Sequence, residues 1–321
     1  MFKYITLELT NRCDLRCSMC SIWKEKTKNF LSVEDIKRIL ALSKNPVSIA
    51  LTGGEPFLHP GFQDIYKMLF LDYLKKKVID IDISTNAASI MLPRFLKKNQ
   101  TILSPLSLSI SLDGLEKAHD LQRGVNGAFK KTLYNIMYAR RFSVPVSIKF
   151  TITLLNYKDA LKVYRLSKKL GCEFLIKLAE KNPHYYNRDE NIKHFVIQRL
   201  NLGARNELKN ELLKILSTER RDSKNTSTLA QFAIVNTLKF LRSGNMNFIK
   251  RCDVPKNCLF ITSAGKIYSC IYYAPIGDTN KGKINLDKND KIILKASRGT
   301  CRKCLAFHGF LNEINISYKT S

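Results

Sequence analysis

Six short runs rich in apolar and β-branched residues punctuate the first 180 positions, at Lys3 to Thr10, Val47 to Thr52, Val78 to Thr85, Leu106 to Leu112, Val146 to Thr153 and Glu173 to Leu178. Each has strand length and reads as a strand. Between them the apolar spacing is helical. Ser32-Val33-Glu34-Asp35 opens one helix with a capping Ser, and Val33, Ile36, Ile39 and Leu40 form its apolar face. Phe62, Ile65 and Leu69 mark a second helix, and Phe129, Leu133 and Ile136 a third. Tyr157 to Leu170 supplies a further one, stopped by Gly171. Strand and helix in alternation predict an α/β fold built on a parallel sheet with right-handed crossovers.

The pattern changes after Pro183. To Asn245 the chain is dominated by Asn, Lys, Arg and Glu, with helices expected near Asn191 to Leu202, Asn206 to Leu216 and Thr228 to Leu241. Leu208, Leu212, Ile215 and Leu216 make a packing face, and Ser217 to Ser227 reads as a mobile loop. Cys258 to Cys270 reads as a β-hairpin turning at Gly265. Three units are therefore expected: residues 1–182 as the alternating α/β unit, 183–245 as a helical bridge lining the substrate entrance, and 246–321 as a small α+β unit.

At 321 residues and 45% apolar composition, the chain has enough material for one large core and a smaller one. No apolar run reaches eighteen residues, so no membrane span is expected. Nine cysteines without a charged-then-apolar leader point to a reducing, cytoplasmic setting and to metal ligation rather than disulfides. The formal charge of +27 raises a nucleic-acid or other anionic partner. The basic residues are nevertheless scattered, and short runs such as Lys75-Lys76-Lys77 and Arg140-Arg141 close expected helices, where cations suit the dipole. The charge is read as compositional.

Chemistry concentrates at the strand ends. After the first strand comes Cys13-Asp-Leu-Arg-Cys17-Ser-Met-Cys20. Three thiolates in C-x3-C-x2-C spacing can hold three corners of an iron–sulfur cubane and leave the fourth iron open. A structural zinc site would want a fourth Cys nearby, and none appears before Cys172. After the second strand comes Gly53-Gly54-Glu55-Pro56, where two glycines permit close approach of the backbone to a ligand and the carboxylate can pair with an ammonium group.

The two motifs, in this order and about thirty residues apart, resemble the radical S-adenosylmethionine (SAM) enzymes. The resemblance implies a partial (β/α)6 TIM-like barrel with its site at the C-terminal strand ends. It implies a [4Fe–4S] cluster on Cys13, Cys17 and Cys20 whose open iron chelates the amino and carboxylate groups of SAM, and reductive cleavage to a 5′-deoxyadenosyl radical. It further implies SAM contacts from Met19, from Gly53, Gly54 and Glu55, from Ser84 and Asn86 after the third strand, and from Ser111 and Asp113 after the fourth. Arg123, in His119-Asp120-Leu121-Gln122-Arg123-Gly124, is expected to pair with SAM's carboxylate or an anionic substrate.

The C-terminal cysteines carry a second resemblance. Cys252, twelve residues, Gly265, four residues and Cys270, then Cys301-Arg302-Lys303-Cys304, resemble the Twitch form of the SPASM extension. That implies one auxiliary [4Fe–4S] cluster, although zinc would satisfy the same four sulfurs. Cys258 is a rival ligand, and Cys172 reads as a buried core thiol. The expected activity is radical SAM oxidation of a substrate, with small-molecule dehydrogenation favoured and an electron donor such as flavodoxin or ferredoxin. The alternative is maturation of a ribosomal peptide, against which stands the N-terminal position of Cys13, with no leader-binding segment ahead of it. The molybdopterin-precursor cyclases would bring a three-Cys set and a Gly-Gly tail, but here the chain ends Tyr318-Lys319-Thr320-Ser321. A non-enzymatic zinc- or cluster-bearing nucleic-acid binder is the remaining class, and it would have no use for Gly53 to Pro56.

Overall fold

The computed structural model describes residues 2–179, 199–222, 229–244, 252–279, 283–284 and 286–297. Six parallel strands run β1 Tyr4–Thr10, β2 Val47–Gly53, β3 Val78–Thr85, β4 Leu106–Ser111, β5 Val146–Ile152 and β6 Glu173–Leu178, paired in sequence order. They lie within a residue or two of the positions read from the sequence. Helices α1 Val33–Leu40, α2 Phe62–Leu74, α3 Met91–Lys98, α4 Glu116–Arg123, α5 Ala128–Arg141 and α6 Ala160–Lys169 fill the crossovers. The sheet does not close, so the fold is a mixed α/β partial barrel.

Local sequence explains the helix boundaries. Ser32 caps α1 by accepting the Asp35 N–H at 3.0 Å, while Asp35 Oδ2 accepts the Ser32 N–H in return. Gly171, with φ 64°, follows Leu170, the C-terminal cap of α6, in the left-handed conformation expected there. One face of each strand is apolar: Leu7, Leu51, Ile83, Ile110 and Ile148 are fully buried and share a single core with Ile65, Leu96 and Ile136 of the helices. The other face carries Thr6, Asp82, Ser84, Lys149 and Lys177, all half-buried. Alternation of this kind aims polar side chains into the barrel.

Beyond the barrel lie α7 Leu202–Asp222 and α8 Leu229–Ser243. The mobile loop expected at Ser217 to Ser227 is corrected up to Asp222, because α7 continues through it. Glu219 holds that last turn: its Oε1 accepts from Tyr164 Oη at 3.0 Å and pairs with Lys168 at 2.7 Å, and its carbonyl accepts from Gln231 at 3.1 Å. The helix expected near Asn191 to Leu202 lies mostly outside the described residues. A short helix α9, Val254–Asn257, leads into β7 Cys258–Ile261 and β8 Lys266–Tyr268, which form the expected hairpin with Gly265 at φ 77°. Strands β9 Gly277–Asp278 and β10 Lys283–Ile284 and helix α10 Leu286–Ser297 follow. β7 pairs in parallel with β1, Tyr4 opposite Cys258, so the ten strands among the described residues share one sheet. Glu8 secures the junction by accepting from Ser263 through both its N–H, at 3.1 Å, and its hydroxyl.

Candidate functional site

The Cys loop after β1 is held from three sides. At its start, Gly54 N–H donates to the Thr10 carbonyl and Glu55 N–H to the Arg12 carbonyl, each at 2.7 Å. A Cβ on Gly53 would overlap the Thr10 carbonyl oxygen, and one on Gly54 the Arg12 carbonyl oxygen. The close approach that these glycines permit is therefore to the Cys loop's own backbone. In its middle, Arg16 N–H donates to the Arg123 carbonyl at 3.0 Å and Ser18 N–H to the Gln122 carbonyl at 2.9 Å, both at the end of α4. Gly124, φ 67°, ends that helix where a Cβ would strike Arg16 O. On the far side, Trp23 Nε1 donates to the Cys17 carbonyl at 3.2 Å.

The loop brings Cys13, Cys17 and Cys20 together, Cys17 buried and the other two half-buried. Burial raises all three thiols above the usual range, Cys20 to about 12. Cys17 also raises its neighbours Cys13 and Cys20, while Arg123 opposes the rise at Cys17 and Cys20. Soft donors crowded in this way suit a cationic iron–sulfur cluster core, whose binding would release their protons. Among the described residues no three Cys, His, Asp or Glu side chains converge on one metal-ion position. Met19 packs with Leu15, Cys17, Ala128 and Ala179 in a small apolar cluster of its own.

Glu55 is 1% exposed and has no cationic partner among the described residues. Its Oε1 accepts from Thr85 Oγ1 at 2.7 Å and Phe57 N–H at 3.3 Å, and Oε2 from Asn86 N–H at 2.9 Å. Burial still lifts its pKa to about 7. Asn86 reaches across to the Cys loop, donating to Asp14 Oδ1 at 2.8 Å and standing 4.0 Å from Cys13 Sγ. Ser84 Oγ accepts from Lys149 Nζ at 3.0 Å, and Ser111, half-buried, ends β4.

Asp113 and Arg123 are engaged with each other. Asp113 is fully buried, with Oδ1 accepting the Thr151 N–H at 2.7 Å and Oδ2 in ion-pair contact with Arg123 Nη2 at 2.5 Å, though not aligned as a hydrogen bond. Arg123 Nη1 stands 3.7 Å from Cys17 Sγ. Sequence reading passed over the polar frame around them. His119 Nδ1 accepts the Asp113 N–H at 3.0 Å, Gln122 Nε2 donates to the Thr151 carbonyl at 3.0 Å, and Asn156 Nδ2 to the Asp113 carbonyl at 2.8 Å. His119, Gln122 and Arg123 share one helix face, a spacing that was the available signal.

In the C-terminal segment, Cys258 is raised first by burial and then by Cys252 and Cys270, which places the three thiols near one another. The hairpin register sets Phe260 opposite Tyr268, two residues from Cys258 and Cys270 respectively. Cys301 and Cys304 lie outside the described residues. Cys172 is buried and its thiol lifted to about 11, as a core cysteine would be.

No described helix is long and apolar enough to cross a membrane. The chain is similar to the sporulation killing factor maturation protein SkfB of Bacillus subtilis, 30% identical over 169 residues, covering 52% of this chain and 40% of that protein. It is also similar to the GTP 3′,8-cyclase of Helicobacter pylori, 23% identical over 92% of this chain and 89% of that protein. Four further curated relatives are matched over 38% to 57% of their own lengths, so the chain spans about half the length of those relatives. Among solved structures, anSMEcpe with bound AdoMet superposes with a TM-score of 0.65 at 17% identity, over 100% of both chains, a likeness of fold. The family profile described as the radical SAM superfamily matches residues 7–166. The chain therefore carries a radical SAM superfamily domain, spanning strands β1 to β5 and the Cys loop between β1 and β2.

Proposed function

We propose that the protein is a radical SAM enzyme in which Cys13, Cys17 and Cys20 ligate the [4Fe–4S] cluster and the ends of β2, β3 and β4 hold SAM. The observation that carries this reading is Glu55, a buried carboxylate without a cationic partner among the described residues, beside a loop of three thiols and fixed to it through the Gly54 and Glu55 backbone. A carboxylate lifted to about 7 by burial is ready to ionise against an ammonium group such as that of SAM. Asn86, Ser84 and Ser111 offer amide and hydroxyl groups on neighbouring strand ends, and Met19 an apolar side chain within the loop. When bound, the cluster and SAM supply a carbon-centred radical that takes a hydrogen from the substrate. The chain's own part is to fix the loop, pair the ammonium group and present a polar barrel interior to the substrate.

Oxidation of a small molecule is the activity we favour, with electrons from a flavodoxin- or ferredoxin-like donor. Cys252, Cys270, Cys301 and Cys304 are the proposed ligands of one auxiliary [4Fe–4S] cluster, a role supported by the grouping of Cys252 and Cys270 around Cys258. Peptide maturation is the second reading, favoured by the 30% identity to SkfB. Anaerobic iron and sulfide analysis with EPR tests the assignment, comparing wild type with the Cys13→Ala/Cys17→Ala/Cys20→Ala variant, with and without SAM. About eight irons falling to about four, with the SAM-sensitive signal present in wild type alone, is the expected result. A colourless zinc protein would overturn it. Release of 5′-deoxyadenosine with small-molecule or peptide pools then separates the two substrate readings.

A further inference from the structure

The Arg123 guanidinium occupies an unusual position for a cation. It is 7% exposed, wedged between a fully buried carboxylate and a buried thiol, with Nη2 2.5 Å from Asp113 Oδ2 and Nη1 3.7 Å from Cys17 Sγ. Its Nε makes no hydrogen bond among the described residues. The backbone fixes the placement, since the carbonyls of Gln122 and Arg123 hold the N–H groups of Ser18 and Arg16 on either side of Cys17. His119 and Thr151 fix Asp113 in turn, one accepting its N–H and the other donating to Oδ1. A buried ion pair is weak evidence for stability, because desolvation offsets the attraction. Buried pairs of this kind can often be replaced by apolar groups of similar volume without loss of stability, so the pair calls for another reason.

The geometry points to Arg123 and Asp113 as a positioning pair that sets the reduction potential of the cluster held at Cys17. This rests on the proposal that Cys17 is a cluster ligand. Reduction adds one negative charge to the cluster, and a donor or cation at a ligating sulfur favours the reduced form. The carboxylate behind the guanidinium acts in the opposite sense, so the potential reflects the difference between them. Low effective dielectric at a buried site makes both effects larger than on a surface.

The test is an EPR-monitored redox titration of the anaerobically reconstituted full chain as wild type, Arg123→Gln and Asp113→Asn, with iron content measured on each. Asn keeps the oxygen that accepts the Thr151 N–H. Loss of the cation is expected to disfavour reduction about tenfold, a shift of 59 mV to more negative potential for one electron. Loss of the carboxylate is expected to shift the potential positive. Opposite signs are a result that loosened packing would not produce. Unchanged potentials, or shifts of one sign in both variants, would overturn the inference. Where Arg123→Gln fails to retain iron, Asp113→Asn decides alone: a positive shift supports the pairing, and any other result removes it. Cys17→Ala keeps the parent reading separate, because a variant that retains the SAM-sensitive signal would show that Cys17 is no ligand.

Discussion

Gly54 lies so close to Arg12 that a single added carbon would overlap the Arg12 carbonyl oxygen, and the Gly54–Glu55 backbone is in consequence the mount on which the Cys loop sits. Gly54→Ala is expected to cost about 1–3 kcal/mol by overpacking and to reduce the iron retained at the loop. Gly61→Ala, where the nearest atom to the new carbon is His59 Cε1 at 3.4 Å, is expected to cost less than about 1 kcal/mol. Chemical denaturation and iron analysis check both, and equal costs would count against the mount.

Glu55 gives the SAM-free protein a pH dependence of definite sign. Its folded pKa is raised from 4.5 to about 7, so ionisation works against folding, and the stability that its neutral form provides is lost as pH rises through that window. Relative to Glu55→Gln, wild type is expected to lose up to about 3 kcal/mol between pH 5 and pH 8. Paired thermal melts across that range measure it, and curves that run parallel would refute the shift.

His119 acts in the opposite direction. Burial, and then Arg123, lower its pKa from 6.5 to about 3, so it folds neutral, and its contribution is lost as pH falls below 6.5. His119→Asn retains an acceptor for the Asp113 N–H and removes the titration. The variant starts less stable through lost packing against Phe129, 6.0 Å away ring to ring, and its deficit is expected to shrink on acidification toward pH 4. A deficit that stays constant would be the contrary outcome.

The strand order and the cysteine and glycine motifs were legible because they are local: Cys13 to Cys20 and Gly53 to Pro56 lie at the ends of strands with regularly alternating apolar positions. The duties of Asp113 and Arg123 were not legible. A polar face reading His119, Gln122, Arg123 on a helix is ordinarily a solvated one, and only the tertiary fold turns it inward. Helix α3 was hidden by Pro93, which the first turn of a helix tolerates. The pairing of β7 with β1 joins segments more than 250 positions apart, beyond the reach of any periodicity.

Ser263 is where that long-range pairing is most exposed to mutation. Ser263→Ala removes the hydroxyl donor to the buried Glu8 carboxylate and is expected to cost about 1–3 kcal/mol, with faster protease cleavage between residues 252 and 279. Urea unfolding and limited proteolysis would detect it, and an unchanged cleavage rate would indicate that the hairpin docks without this bond.

The parallel seating of β7 against β1 also sets a timetable for synthesis. One edge of Tyr4–Thr10 finds β2 early, but the other waits for Cys258–Ile261 to leave the ribosome. At 5–20 residues per second that interval is roughly 10–50 s, during which the strand carrying the Cys loop shows an unpaired edge to the cell. Newly made chains are then open to strand-to-strand association, and the arrival of the C-terminal hairpin ends that exposure.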